Sequence, residues 1–523
     1  MIGLITGETR GAQFCLKFRG SGGLEAKIAE VYRNKLTIGK LTNGKLKVRV
    51  GALRAVERKN HKEEMMRFYG REKERTALRR ELQDVLAGDS RFVLLTGRRG
   101  IGKTRLVFEA LGADETPLIY FYVSRHASEA RCLALFCEVV TDTLGLEHPL
   151  RAENFVEALL FVLRQAKTRP IILFFDEFQN FGAFYPSFFG ILQSLWNETK
   201  RDARLLLVAA GSERDVLSNL FRTGRATLIA SQDAFLDLSP FSPALLKAVL
   251  QDQCPGIGGD ELLAFYALTG GVPRAVEALL EDGTFTVETL LERFTADRRG
   301  LLAEATMSLE TSFSGNRAVY YDILRWIAAG ETSRSAVVGH FREDISGHLN
   351  RLERTYRLIE RVEPIGETGS QRHRIRFEIA DELLHFFFAF LEPKRHLLEA
   401  GRIGEVCRAA IDAFPAWSER ILKRFYRRHF ESLDCFTEVG PWWDRKALYE
   451  IDLIAVDERT RAIIFCDIRR DETKAELAAL RGKAEEFLRL NPKYASYRAV
   501  YRKLSLAELE ADCKLPSGDS FLE

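Results

Sequence analysis

The stretch Gly97-Arg98-Arg99-Gly100-Ile101-Gly102-Lys103-Thr104 constrains this chain more than any other feature. It lies between an apolar run, Phe92–Thr96, and an amphipathic segment, Lys103–Leu111. Glycine, lysine and hydroxyl at this spacing make a loop that bends tightly enough for its backbone N–H groups to surround phosphate oxygens. The strand before it aims the loop, and the helix after it adds the positive end of its dipole. Lys103 is then placed to neutralise the β- and γ-phosphates of ATP, and the Thr104 hydroxyl to ligate Mg²⁺. A chain with this unit is committed to an α/β architecture around a parallel sheet.

A second segment fits the first. Ile171-Ile-Leu-Phe-Phe-Asp176-Glu177 reads as a buried strand ending in two carboxylates, and the carboxyl ends of such strands carry ligand chemistry. Asp176 is expected to hold Mg²⁺ through water. Glu177 is expected to orient or deprotonate the attacking water, so hydrolysis and not binding alone is the expectation.

The length of 523 residues gives a prior of three to four domains at roughly 150 residues each. Lys+Arg 77 against Asp+Glu 74 leaves a formal charge of only +3, which excludes a global basic coat for nucleic acid. Residues 1–66 carry 14 Lys/Arg and 6 Asp/Glu, a net of +8, so the other 457 residues sum to −5. Within the basic segment, LTIGKLTNGKLKVRVGAL suggests a hairpin around Asn43-Gly44. Lys62-Glu63-Glu64 before Met65-Met66 admits a purine-rich ribosome-binding sequence, so a natural start at Met65 or Met66 is an expectation that intact mass checks. The eight cysteines are scattered without metal-ligand spacing, and no apolar run reaches membrane-spanning length. A cytoplasmic protein without a membrane segment is expected.

Organisation follows from the pattern. Residues 67–240 alternate strands (Phe92–Thr96, Leu118–Val123, Ile171–Asp176, Leu205–Ala210) with helices, and 241–312 read as a helical lid. Residues 313–395 give helices over Tyr320–Ala329 and Ile345–Arg361, then two short strands flanking Glu367–His373, the order of a winged helix. Ile345, Leu349, Leu352, Tyr356 and Ile359 supply its apolar spacing and leave Asn350, Arg351, Arg354 and Arg357 on other faces. With a basic wing, Arg372-His373-Arg374, such a helix suits DNA, but it suits packing between domains equally. Residues 396–523 read helix, strand, strand, helix, strand, and His385–Phe390 read as core or interface.

On Phe68-Tyr-Gly70-Arg71-Glu72, the phosphate loop, Phe174-Phe-Asp-Glu-Phe-Gln179, Ala210-Gly-Ser212, Thr223-Gly224-Arg225 and Thr269-Gly-Gly271-Val-Pro273, residues 67–280 resemble archaeal-type AAA ATPases, related to the signal-transduction NTPases. The resemblance implies that Arg71 lies near the adenine and that Pro273 closes over the base from the lid. It also implies that Ser212 is sensor-like and that Arg225 is an arginine finger, in cis or across a homo-oligomer contact. Ser212 reads equally well as a cap for a helix over Glu213–Leu220.

The last region has its own acids. Glu450 and Asp452 share a strand face, Asp467 and Arg469 share the next, and Glu419 sits on a helix with Lys423, Arg424, Arg427 and Arg428. Carboxylates from neighbouring strands can jointly hold Mg²⁺. With Trp442-Trp443 and Tyr449-Glu-Ile-Asp-Leu-Ile-Ala455, the region resembles the restriction-endonuclease-like PD-(D/E)xK fold and a C-terminal domain of unknown function that accompanies these ATPases. That implies metal acids at Glu419, Asp452 and Asp467. Arg469 stands at the usual lysine position and cannot transfer a proton at neutral pH; Lys474 or Lys483 could supply a migrated ammonium. Cleavage, a non-cleaving nucleic-acid clamp and a structural relic all stay open. The expected function is a Mg²⁺-dependent ATPase coupled to DNA through the winged helix and C-terminal domain. The alternative is an ATP-driven switch or scaffold with a catalytically dead interaction domain.

Overall fold

The computed structural model describes residues 13–16, 46–49, 66–212, 232–281, 283, 285–296, 300, 309, 313, 317–366, 375–446, 448–474 and 476–510. Arg225, the Glu213–Leu220 segment, the Arg372–Arg374 wing and the Asn43-Gly44 turn lie outside them. The chain forms two compact units, Met1–Phe68 and Tyr69–Glu523. In the first, β1 (Gln13–Leu16) pairs antiparallel with β2 (Leu46–Arg49). The hairpin expected around Asn43-Gly44 lies outside the described residues apart from β2.

In the second unit, β3 (Arg91–Gly97), β4 (Leu118–Tyr122), β5 (Ile171–Asp176), β6 (Leu205–Gly211) and β7 (Ala234–Leu238) form one parallel sheet in the order β4-β5-β6-β3-β7. The chain leaves β3 for the far edge, returns through β5 and β6, then crosses to β7. The direction of winding reverses at β3, and such a switch point opens a crevice at the strand ends. β5 is buried along its whole length, which explains its unbroken apolar run. Phenylalanines anchor the chain beyond it: Phe178, Phe181 and Phe188 are fully buried, and the last two stack with centroids 3.8 Å apart.

Helices Pro243–Gln253, Gly259–Thr269, Pro273–Leu280 and Val287–Ala296 follow the sheet. Helices Arg317–Ala329, Arg334–Gly339 and Ser346–Asn350 come next, the last extended by a wider turn over Arg351–Thr355. An antiparallel pair, β8 (Ile359–Val362) and β9 (Arg376–Ile379), completes this part. The helix expected over Ile345–Arg361 therefore ends early. Arg357 adopts φ 50, a left-handed conformation that breaks a helix, and Ile359 is buried from a strand instead.

The last region has one strand more than expected: β10 (Glu438–Trp443), β11 (Glu450–Asp457), β12 (Ala462–Ile468) and β13 (Arg498–Leu504), in that order. The first two pairings are antiparallel and β12–β13 is parallel, with the Leu477–Leu490 helix between those strands in sequence. Gly440-Pro441 sits in the edge strand β10, where a register shift between Gly440 and Trp442 accommodates it.

The long helix Ile403–Glu431 ties these parts together, and the cations of its last turns are paired within the chain. Arg424 Nε lies 2.9 Å from Glu382 Oε1 and its Nη2 3.0 Å from Glu360 Oε1; Arg427 pairs with Glu378, and Arg428 with Glu360. Burial would raise the Glu378 pKa, but Arg427 and Arg424 outweigh it and hold it at about 2. These cations are engaged within the chain: Arg424, Arg427 and Arg428 by carboxylates of β8, β9 and the segment after them, and Lys423 by Asp452 of β11. His385–Phe388 and Phe390 are buried, as their composition predicts.

Candidate nucleotide site and C-terminal carboxylate cluster

The loop after β3 turns on backbone conformations that only glycine adopts cheaply. At Gly97 (φ 148) a Cβ would lie 2.9 Å from Leu238 O, and at Gly100 (φ 77) 3.2 Å from Arg274 Cβ of the lid. Arg274 N donates to Gly100 O at 3.2 Å, so the turn containing Gly271 and Pro273 closes directly on the loop. Pro273 opens the Pro273–Leu280 helix, where its missing N–H costs nothing. Arg71, at φ 68, precedes the Glu72–Ala87 helix, pairs with Glu74 at 3.3 Å and reaches Ser239 O.

Lys103 is 6% exposed, with Nζ donating to Gly97 O at 2.8 Å and to Arg98 O at 3.2 Å. Burial lowers its pKa, and the charges of Glu177 and Asp176 oppose that. The ammonium thus sits inside the loop on neutral acceptors, where phosphate oxygens would be better ones.

At the end of β5, Asp176 Oδ2 accepts from Thr104 Oγ1 at 2.6 Å and from Tyr120 OH at 3.3 Å. Asp176 is 5% exposed, and burial raises its pKa. Glu177 adopts φ 52, which turns its side chain out of the strand's alternation. Its Oε2 accepts from Ser212 Oγ at 2.7 Å and Gln179 Nε2 at 2.5 Å. The Ser212 hydroxyl therefore bridges β6 to the acid beyond β5. Gln179 Oε1 is buried without a partner beside them. The Thr104 hydroxyl on the desolvated Asp176 carboxylate gives an oxygen pair that fits a hard divalent cation and its water. Tyr120 and Gln179 were missed as site residues; Gln179 lay within the motif quoted, but nothing local marks Tyr120.

The C-terminal acids also converge, with different partners. Lys423 Nζ lies 2.7 Å from Asp452 Oδ1, and Asp452 Oδ2 accepts from Ile468 N at 3.0 Å. Arg469 donates to Glu419 Oε1 at 3.0 Å and lies 3.4 Å from Asp467 Oδ1, while Asp467 Oδ2 accepts from Glu476 N at 3.1 Å. Burial raises the Asp467 pKa against that backbone donor and Arg469. Glu450 is drawn away to Arg376 of β9. The ammonium that reaches Asp452 is Lys423, not Lys474 or Lys483. Among the described residues no group of three or more His, Cys, Asp or Glu is arranged to hold a metal ion. Lys423 and Arg469 pair with one oxygen of each of these acids, so a metal ion at Glu419, Asp452 and Asp467 would have to displace both cations.

Residues 67–210 match the AAA ATPase domain family. Over those residues the chain is similar to AAA ATPase domains. The match supports ATPase activity, and it spans the loop and the acid strand just described. Residues 387–480 match a family described as archaeal and bacterial proteins of unknown function. Among solved structures, the Walker-type ATPase PABY2304 of Pyrococcus abyssi is similar at 18% identity over 61% of this chain and 96% of its own, with a TM-score of 0.46. The Aeropyrum pernix ORC2 protein is similar at 16% identity over 66% and 96%, with a TM-score of 0.45. The Thermotoga maritima RuvB Holliday junction branch migration motor is similar at 15% identity over 63% and 95%, with a TM-score of 0.33. No curated protein matches the ATPase sequence. Among the described residues no helix is long and apolar enough to cross a membrane.

Proposed function

We propose that this chain is a Mg²⁺-dependent ATPase that couples its nucleotide state to DNA binding. Thr104 and Asp176 hold Mg²⁺, which supplies charge neutralisation at the phosphates when bound. Lys103 binds the β- and γ-phosphates, the backbone of residues 97–104 cradles them, and Glu177, aimed by Ser212 and Gln179, orients the attacking water. Arg71 and Pro273 flank the base, and Arg225 completes the site in cis or from a second copy.

The observation that carries the DNA part is the exposed row Asn350, Arg351, Arg354 and Arg357. Three helices, a β-bridge between Ser333 and Arg376, and the β8–β9 hairpin support a winged-helix reading of this module. On that reading Asn350, Arg351 and Arg354 lie on the helical segment that would enter a groove, and Arg357 lies just beyond its end. The order helix, three strands, helix, strand from Ile403 to Leu504 supports a restriction-endonuclease-like reading of the last domain. Its neutralised acids favour a non-cleaving clamp. A second reading, a switch whose C-terminal domain binds protein, is favoured by the burial of Arg424 and Arg427, which removes two cations from any nucleic-acid surface.

The test is binding and cleavage of duplex and single-stranded DNA with Mg²⁺ or Mn²⁺, with and without ATP. It uses wild type, Asp452→Ala and Arg469→Lys. The expectation is ATP-responsive affinity that falls steeply with salt, with no cleavage by wild type. Absence of DNA affinity at physiological salt favours the protein-binding switch. Cleavage gained by Arg469→Lys would mark a disabled nuclease.

A further inference from the structure

Arg98, in the phosphate loop, pairs its guanidinium with Asp381, 283 residues further on. Asp381 lies between β9 and the Glu382–Phe386 helix. Its Oδ2 faces Arg98, while its Oδ1 caps that helix, accepting from Leu383 N at 3.0 Å and Leu384 N at 3.4 Å. Glu382 packs on the lid turn, where a Cβ at Gly270 would lie 3.3 Å from Glu382 Cγ. The Glu382 carboxylate holds Arg424, which also binds Glu360 of β8 and Ile379 O of β9. Loop, lid turn and hairpin therefore meet within a few residues of Asp381.

A phosphate loop is the surface onto which phosphate oxygens settle, and the side chain of Arg98 is 43% exposed there. A guanidinium takes carboxylate or phosphate by the same forked geometry. The Asp381 carboxylate and a nucleotide's phosphates are thus two anions in competition for one cation. We propose that Asp381 is a positioning residue of the ATPase. Its carboxylate holds Arg98 away from the nucleotide, and a nucleotide that recruits Arg98 frees Asp381 and loosens the segment joining β9 to the following helix. Reciprocity follows: whatever Asp381 takes from nucleotide affinity is what nucleotide binding returns as release of that segment. Any effect of that release on DNA rests on the function proposed above; the competition of Asp381 and phosphate for Arg98 does not.

The experiment titrates the full chain with ATP. Asp381→Asn keeps an oxygen for the helix cap and removes the charge, and it should tighten ATP binding roughly threefold to tenfold. KM should fall likewise, with kcat changed by less than about twofold. In an Arg98→Gln background the same substitution should have no effect, and Asp381→Glu should restore wild-type affinity. Unchanged or weaker binding in Asp381→Asn overturns the proposal, as does an equal gain in both backgrounds. Amide hydrogen exchange gives a second readout that leaves Asp381 in place. ATP should speed exchange over residues 376–386 in wild type but not in Arg98→Gln; a response that persists in Arg98→Gln, or is absent from wild type, overturns the release step. If these effects appear while DNA affinity is absent, the DNA reading fails and the Asp381–Arg98 competition stands.

Discussion

The ATPase site and the C-terminal cluster use the same materials and finish them in opposite ways. Each gathers carboxylates near strand ends and brings a lysine close. In the ATPase, Asp176 and Glu177 are met by neutral donors, Thr104, Tyr120, Ser212 and Gln179, while Lys103 rests on carbonyls. Its opposite charges are held near one another without being joined. In the C-terminal cluster, Lys423 is joined to Asp452 and Arg469 to Glu419. A buried charge left to neutral partners is unstable until a ligand supplies the counter-charge, whereas a joined pair has nothing further to gain. Ligand binding is therefore written into the first site, and internal stability into the second.

The largest effects that could break this contrast are on rate. Lys103→Ala should abolish measurable ATP binding, as followed by calorimetric titration. Glu177→Gln should retain binding and lower kcat for phosphate release by roughly 10²- to 10³-fold. If Asp452→Ala reduced ATPase activity as strongly as Glu177→Gln, the division of labour between the two sites would be wrong.

Next in size is a pair of lysine substitutions. Lys423→Met leaves Asp452 without its counter-ion and should cost about 1–2 kcal/mol in urea unfolding, moderated by the partial exposure of the lysine. Lys103→Met removes a desolvated ammonium that forms no ion pair and should leave stability within about 0.5 kcal/mol or raise it. Equal losses would show that both lysines are structural.

How much of this was legible in sequence depended on how local the signal is. The loop from Gly97 to Thr104 fixes strand, turn and helix from consecutive residues, and Ile171–Glu177 announces a fully buried strand by its unbroken apolar run. The fate of the Lys423–Arg428 cations could not be read locally, because Glu360 and Glu378 come from a hairpin far back in the chain. The same holds for Arg98, whose partner is no neighbour in sequence. Apolar spacing ran past Thr355 because Tyr356 and Ile359 stay in helical phase, although Arg357 breaks the helix. Gly440-Pro hid an edge strand for the opposite reason: both residues argue against a strand interior but not against a bulged edge.

The smallest effect is the sharpest probe of the contrast, because it predicts that a functional residue harms the fold. Burial raises the Asp176 pKa from its ordinary 3.8, so the ionised carboxylate is disfavoured in the folded protein without nucleotide. A raised folded pKa means that the favourable protonated form contributes fully below 3.8, and that the advantage is lost as pH climbs through the folded value. Asp176→Asn keeps an acceptor for Thr104 and carries no charge to desolvate. It should be slightly more stable than wild type at pH 7, by less than Lys423→Met loses, and the gain should shrink as pH falls toward 3.8. The same variant should lose Mg²⁺-dependent nucleotide binding. Urea midpoints of the two proteins across pH 4–7 measure the difference on the fold, and Asp452→Asn in parallel should lose stability where Asp176→Asn gains it. A stabilised Asp452→Asn would mean that the C-terminal acids, too, are held in readiness for a cation.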